Sequence, residues 1–402
     1  MVPSALTERW QSMFCSDELS KFFDLEYWDC SKICRPFFEA SSVLKRCYSR
    51  IINDFPDMES NLSRLPKDVV IISHIHLEGF NYKLHKLISS YNRNRVYIDF
   101  WANRISLFVE SSKDYAENVK KDLKKKSVWE KLLRTFPSID CLVKFMEYKG
   151  GPEFRKYRDE KRKLRRYYKA VPLYNRFLIS VKPHMRYSIN HPDYEKYLSV
   201  VNGGNKSLVD GRYTVFLDQC FPCHPTLKSE NPDIDFEALA QPYYSSLNSF
   251  FDKIEKEYNC RVVIAGHPVA NYGQNPFCGR PIFYFKTAEL VASSIAVLMH
   301  CSFSISYPIL FDKPVCLIAN KALLQATEIR SNINKFSIAF KKDIIDTDCI
   351  ADVSESLTPI DEMIRKQYID MFFDTSIKER NDQLLVRHIE SIHETIVNGL
   401  AS

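Results

Sequence analysis

The sequence predicts an α/β protein built from two Rossmann-like domains facing across a cleft, with extra helices. Three observations carry this. Short apolar runs alternate with helical segments between Tyr213 and Ala319, which is the pattern of a parallel sheet covered by helices. A second set of such runs lies in the first half, at Val69–Ser73 and Val96–Phe100. Polar groups fall directly after the strand-like runs, at Gly266-His267-Pro268, Lys286-Thr287 and Ser302-Phe303-Ser304. In open α/β sheets that edge is where ligands bind.

The bulk numbers narrow the class. A chain of 402 residues suits two domains or slightly more. With 45% apolar and 26% charged residues it can bury ordinary cores and is not disordered as a whole. A net charge of +6 is too weak to argue for nucleic acid, and no nucleic-acid module accompanies it. The twelve cysteines have no framework spacing, and most, such as Cys301 and Cys316, sit in apolar runs. That usage predicts reduced, buried thiols in a cytoplasmic protein. The opening Met1-Val2-Pro3-Ser4 lacks the basic start and apolar core of a secretory signal. Leu290–Phe311 is uncharged and long enough for a membrane span, but it carries five serines, His300 and Pro308. It reads instead as helix, strand and helix.

Taken in order, residues 1–65 are mixed helical segments rich in aromatics. Val69–Ser73 is the first clean strand, and the His74-Ile75-His76-Leu77-Glu78-Gly79 loop follows at its ligand edge. A helix over about 82–91, strands at 96–100 and 105–109, and a long charged helix over 113–135 complete a βαβ-like order. A basic helical insertion lies near 150–170, where Phe154–Lys169 holds nine Lys/Arg against Asp159 and Glu160. It is either a solvated helix or a contact with an anionic membrane surface. Asn202-Gly203-Gly204-Asn205 is turn chemistry and marks a linker.

These signals place an N-terminal α/β domain over 1–205, a C-terminal Rossmann-like domain over 211–375 and a C-terminal helix over 376–402. The second domain begins with the strand Tyr213–Leu217, which ends in Asp218. A helix over Phe236–Tyr258 leads to strands at 262–265, 282–285, 296–299 and 315–319. A loosely patterned region then runs to Ser354, before helices at 359–373 and 377–397.

The chemistry-bearing residues cluster at strand ends. Pro268 stops a strand, so His267 points off the sheet edge, where it donates to a phosphate or sugar oxygen or simply caps the turn. Ser302 and Ser304 open a helix, whose free N–H groups suit an anion, although serine is also an ordinary N-cap. Lys286-Thr287-Ala288-Glu289 opens another helix, with Glu289 an acceptor for sugar hydroxyls or a capping residue. Asp218 is a carboxylate at a strand end, fit for a nucleophile, a base or a helix cap. Cys220-Phe221-Pro222-Cys223-His224 matches a haem-attachment pattern, but such proteins are exported, and no second C-x-x-C offers further zinc ligands. No metal site is expected.

Together His267-Pro268, Lys286-Thr287-Ala288-Glu289, Ser302-Phe303-Ser304 and Lys313-Pro314 resemble the second domain of GT-B glycosyltransferases. More narrowly, they resemble bacterial enzymes that use CMP-activated acidic sugars in surface-polysaccharide assembly. The resemblance implies that His267, Thr287, Ser302 and Ser304 hold the CMP donor. Arg280 or Lys286 would pair with the carboxylate of the sugar, and Glu289 would take its hydroxyls. Two branches of these enzymes differ in their carboxylates. Inverting sialyltransferase-like members carry an acidic pair before glycine, of which Leu77-Glu78-Gly79 has half. Retaining β-Kdo transferases use an acidic nucleophile, which Asp218-Gln219 resembles.

The expectation is therefore a retaining transferase. It moves Kdo, or a related acidic sugar, from CMP-Kdo to a saccharide or lipid-linked glycan of lipopolysaccharide O-antigen or capsule. Asp218 is the nucleophile, Glu78 or Glu147 the base, and no cofactor is needed beyond the donor substrate. Its place is cytoplasmic, with the basic insertion suited to the inner membrane surface. A UDP-hexosamine transferase or epimerase, and a non-catalytic membrane-associated scaffold, are the rival readings.

Overall fold

The computed structural model describes residues 1–2, 5–34, 43–66, 68–73, 84, 87–88, 90–91, 95–98, 177–179, 186–187, 189–204, 206–224, 227–228, 231–349 and 353–401. They fall into two compact units. One comprises the described residues within Met1–Trp101, Lys113–Asn190 and Glu379–Ser402, and the other those within His191–Lys378. The loop carrying Glu78, the segment carrying Glu147, the basic insertion and the segments at 105–109 and 113–135 lie outside the described residues.

In the first unit, β1 (Tyr27–Asp29) pairs in parallel with β2 (Ser49–Ile51). A second sheet has the order β3-β4-β5-β6, formed by Ile71–Ser73, Arg95–Ile98, Phe177–Ile179 and Arg186–Tyr187. The β3/β4 pair is parallel, as the βαβ pattern predicts, whereas β4/β5 and β5/β6 are antiparallel. The helix Phe55–Ser63 begins where Asp54 accepts the N–H of Asp57, and it turns Met58 and Leu62 into a core with Trp28, Ile52 and Ile71. The C-terminal helix Asn381–Ala401 belongs to this unit. Its first residue is locked there, because Asn190 N donates to Asn381 Oδ1 at 2.7 Å and Asn381 Nδ2 returns a bond to Asn190 O at 3.0 Å.

The passage between units falls at Asn190/His191, upstream of the glycine pair. The helix Pro192–Asn202 runs straight into that pair, and Gly203 is its C-cap. Gly204 takes the left-handed conformation at φ +79° that a side chain resists. Gly-Gly therefore ends a helix of the second unit, where its composition suggests a linker.

The second unit holds a six-stranded, all-parallel sheet of β7 (Tyr213–Leu217), β8 (Arg261–Gly266), β9 (Ile282–Tyr284), β10 (Ala296–Met299), β11 (Val315–Ala319) and β12 (Ile344–Asp346). Its order, β12-β11-β10-β7-β8-β9, is that of a doubly wound Rossmann sheet. Strands β7, β10 and β11 are buried along their whole length, which explains their unbroken apolar sequences. Asp235 caps the helix Phe236–Tyr258 by accepting from Glu237 N and Ala238 N, and Asn259 closes it in a left-handed turn. The uncharged stretch 290–311 resolves into helix, strand and helix as expected. Among the described residues no helix is long and apolar enough to cross a membrane.

Gly266 ends β8 under a crowded edge. A Cβ there would lie 2.9 Å from both Ile282 Cγ2 and Tyr284 Cε1. Overpacking of this kind costs about 1–3 kcal/mol. Gly266→Ala is expected to lower the urea midpoint by a corresponding amount, and an unchanged midpoint would show that Tyr284 swings away freely.

Candidate active site

The sheet changes winding direction between β7 and β10. Each strand after β7 is added outward to one edge until β9, and then the chain returns to β10 on the other side of β7. The carboxyl ends of these two central strands diverge into loops, and ligands of open α/β sheets sit in that crevice. The residues delivered there are Asp218 and Gln219 after β7, and His300, Cys301 and Ser302 after β10. Gln219 ties the two loops together, since its Oε1 accepts from Cys301 N at 3.1 Å.

Asp218 is the best-defined group of the site. It is buried, at 4% exposure, and its backbone N–H extends the sheet ladder to Ala265 O. Its Oδ1 accepts from Cys220 N at 2.9 Å, which closes a tight turn with Cys220 in the left-handed conformation at φ +51°. Its Oδ2 accepts from His267 N at 3.4 Å and from the hydroxyl of Tyr272. Burial pushes the carboxyl above its usual range, and the Tyr272 phenol with the N–H groups of Cys220 and His267 pulls it part of the way back. These donors are neutral, and among the described residues no Lys or Arg forms an ion pair with Asp218.

His267 stands at the end of β8, as the strand-then-proline pattern predicts. Its Nδ1 accepts from Val269 N at 3.3 Å, which leaves Nε2 as the donor of the neutral ring. The His224 ring packs edge-on against it, with centroids 5.1 Å apart. Burial lowers the basicity of His224, and its Nδ1 has no hydrogen-bond partner among the described residues. The loop after His267 carries Tyr272 back over Asp218.

Arg280 is engaged within the unit itself. Its buried guanidinium donates to Asp252 Oδ1 at 2.5 Å, to Glu255 at 2.7 and 3.2 Å and to Asn248 Oδ1 at 3.1 Å. Four bonds to three partners on one helix face and a fifth to Phe277 O at 3.4 Å fill the fork, so the residue clamps the end of the loop to the helix Phe236–Tyr258.

Glu289 is engaged through one oxygen, while its buried Oε2 has no hydrogen-bond partner among the described residues. Its Oε1 takes Lys196 Nζ at 2.8 Å and Lys286 Nζ at 3.5 Å, so it fastens the helix Pro192–Asn202 to the helix Thr287–Ser293. Burial alone would raise its carboxyl, but the two lysines hold it below the usual range. Lys286 is half-exposed as the N-cap residue of the helix Thr287–Ser293, and Thr287 is its first residue. Both stand after β9, two strands from β7.

Ser302 Oγ accepts from Ser304 N at 3.2 Å, so the serine pair caps its own turn. The free N–H expected at Ser304 is therefore taken, and the following helix, Ser306–Leu310, has only five residues. What Ser302 retains is its hydroxyl proton, half-buried at the switch point. His300 is fully buried behind it, with Nδ1 2.6 Å from Ile318 O and Nε2 3.0 Å from the Tyr243 hydroxyl. A carbonyl only accepts, so Nδ1 carries the proton and Tyr243 donates to Nε2.

The structure thus brings Asp218, His267 and Ser302 to the carboxyl edge of the three central strands β8, β7 and β10. It adds Tyr272, which sequence reasoning missed, and gives Gln219 and His224 a place at the site. Gln219 and His224 lie within motifs already singled out, whereas Tyr272 lies in a polar loop with no periodic signal.

No protein-family model matches the sequence, and no curated protein does. Among solved structures, the chain is similar to the crystal structure of the glycosyltransferase SnogD from Streptomyces nogalater, at 12% identity and a TM-score of 0.22. The match covers 49% of this chain and 44% of that one, so it spans less than half the length of that enzyme. So distant a likeness decides neither fold nor activity.

Proposed function

We propose that the chain is a glycosyltransferase whose second unit binds a CMP-activated acidic sugar such as Kdo and transfers it with retention through Asp218. The observation that carries the reading is the state of Asp218. It is a buried carboxylate at the topological switch point, held by neutral donors, with no Lys or Arg in an ion pair among the described residues. Burying a charge without a counter-charge is costly. A site that does so is complementary to a positive charge that arrives or develops there, as on the anomeric carbon during glycosyl transfer.

The step balances without further reactants. A carboxylate oxygen of Asp218 forms a bond to the anomeric carbon while the bond from that carbon to the CMP phosphate oxygen breaks, and the electron pair leaves with the phosphate. The Nε2–H of His267 and the hydroxyl of Ser302 are the donors for that developing charge. An acceptor hydroxyl then displaces Asp218, and its proton passes to a base, for which Glu78 and Glu147 are the candidates. Lys286 and Thr287 are available to the donor at the β9 end. Arg280 and Glu289 have no part in this scheme. The acceptor is a saccharide or lipid-linked glycan, and the basic segment 154–169 suits an anionic membrane surface.

Intact-protein mass spectrometry after mixing the chain with freshly generated CMP-Kdo and no acceptor tests this. The expected result is a mass increase of one Kdo residue that is absent in Asp218→Ala. CMP release only in the presence of acceptor, with no adduct, would move the reading to the inverting branch. No adduct and no CMP release from any CMP-sugar would remove it.

A further inference from the structure

We infer that Tyr272 is a positioning residue for Asp218: its phenol fixes one oxygen of the buried carboxylate and keeps that carboxylate ionised for reaction. This rests on the reading of Asp218 as the reacting group. Facing Asp218 from the loop after β7 are the backbone N–H and thiol of Cys220, and from β8 the N–H of His267 with His224 beyond it. The helix Phe236–Tyr258 presents Tyr243 and Tyr244, β9 presents Tyr284, and the loop after His267 presents Tyr272.

Three of the four phenols do not hold the carboxylate. Tyr243 spends its hydroxyl on His300. Tyr284 packs its ring over Gly266. Tyr244 stands edge-on to Phe277, and its buried hydroxyl has no hydrogen-bond partner among the described residues. Of these four phenols, Tyr272 alone donates to Asp218 among the described residues. Its proton is secure, because burial and the adjacent carboxylate push the phenol far above its ordinary value. The Cys220 thiol is pushed up to about 12 by burial and by Asp218, so it adds no second anion at neutral pH.

The loop is built to hold Tyr272 in place. Phe277 is fully buried and packs against Tyr272, Tyr244 and Phe216. Asn275 caps the turn by accepting from Phe277 N and donating to Arg280 O. Asn248 Nδ2 holds Pro276 O at 2.9 Å, and Arg280 is clamped to Asp252 and Glu255. Fourteen residues of mostly exposed loop, 267–280, thus have one inward aromatic anchor beside the phenol. A phenol that donates to a buried carboxylate stabilises the ionised form, and without it burial alone sets the protonation. A glycosyl acceptor carboxylate must be ionised to attack.

The test compares wild type, Tyr272→Phe and Tyr272→His. Infrared difference spectra against Asp218→Asn follow the Asp218 carboxyl band through a pH titration of the free protein, with no substrate required. Turnover of CMP-Kdo is then measured across the same pH range. In Tyr272→Phe the Asp218 titration is expected to move to higher pH. Turnover should fall roughly tenfold at about pH 5.5 while staying within about threefold of wild type at about pH 8.5. Tyr272→His, which keeps a donor, should recover most of the acid-side loss. An Asp218 titration that does not move in Tyr272→Phe would overturn the inference, as would an equal loss of turnover at every pH. A shifted titration in a protein that turns over no CMP-sugar would uphold the Tyr272–Asp218 pairing and remove the proposed reaction.

Discussion

Replacing Asp218 by asparagine is expected to lower sugar transfer from CMP-Kdo by at least about a thousandfold, which is about 4 kcal/mol on the barrier. CMP binding should be retained within about threefold, since the groups assigned to the phosphate, His267 and Ser302, are untouched. The substitution is nearly isosteric. Its amide oxygen can still accept from Cys220 N, as Oδ1 does at 2.9 Å. Its NH2 group would face the Tyr272 hydroxyl, which turns round to accept instead of donating, and the His267 N–H, which loses a long 3.4 Å bond. The fold should therefore hold, with a melting temperature within a few degrees of wild type and no loss of the parallel sheet. Steady-state turnover, CMP affinity by calorimetry and thermal unfolding measured on one preparation separate the outcomes. Wild-type turnover in Asp218→Asn would remove Asp218 from the mechanism and leave its burial as a purely structural matter.

Much of the second unit is legible in its sequence because parallel strands buried on both faces leave an unbroken apolar run. Tyr213–Leu217, Ala296–Met299 and Val315–Ala319 stand where the pattern puts them. The helix Phe236–Tyr258 announces itself through an aspartate before its first turn and an asparagine after its last. The helix Thr327–Phe340 and β12 lie hidden in the region that reads as loosely patterned. Ile329, Ile333, Phe336 and Phe340 do recur on one buried face, but serines and asparagines between them weaken the helix signal. β12 is a three-residue edge strand, only partly buried, too short for a period to show.

The site divides along the same line. Strand ends are predictable, so the placement of Asp218, His267 and Ser302 just after strands is legible too. What a charged side chain does after the strand is not, because its partner is far away in sequence. Arg280 looks free until the helix 25–32 residues upstream brings Glu255, Asp252 and Asn248 against it. Glu289 looks free until Lys196, 93 residues away, reaches it. Tyr272 is the converse case, an unremarked loop tyrosine that becomes interesting only through its bond to Asp218, 54 residues back.

Acid should destabilise the second unit through His300. Burial lowers the basicity of this imidazole from the ordinary 6.5 to about 4, and the bond to Ile318 O offsets that only in part. Above pH 6.5 the ring is neutral in both folded and unfolded chains and has no effect on the balance. Between 6.5 and about 4 the unfolded chain binds a proton that the folded chain refuses, so stability falls as the pH drops. The full difference is about 3 kcal/mol. A proton on Nε2 would also face the Tyr243 hydroxyl, which now donates to that nitrogen. Asp218 works in the opposite sense, because its carboxyl is raised by burial and folding is favoured when it is protonated. The two are separated by comparing wild type with His300→Gln, whose amide can bond both Ile318 O and Tyr243 but does not titrate. At pH 8 the variant should be the less stable by about 1–2 kcal/mol, from imperfect packing and bonding. As the pH falls toward 4 that gap should close and then reverse, since only the wild type carries the histidine penalty. Urea midpoints measured across this range decide it. A gap between wild type and His300→Gln that stays constant with pH would mean that the folded protein protonates His300 as readily as the unfolded chain does.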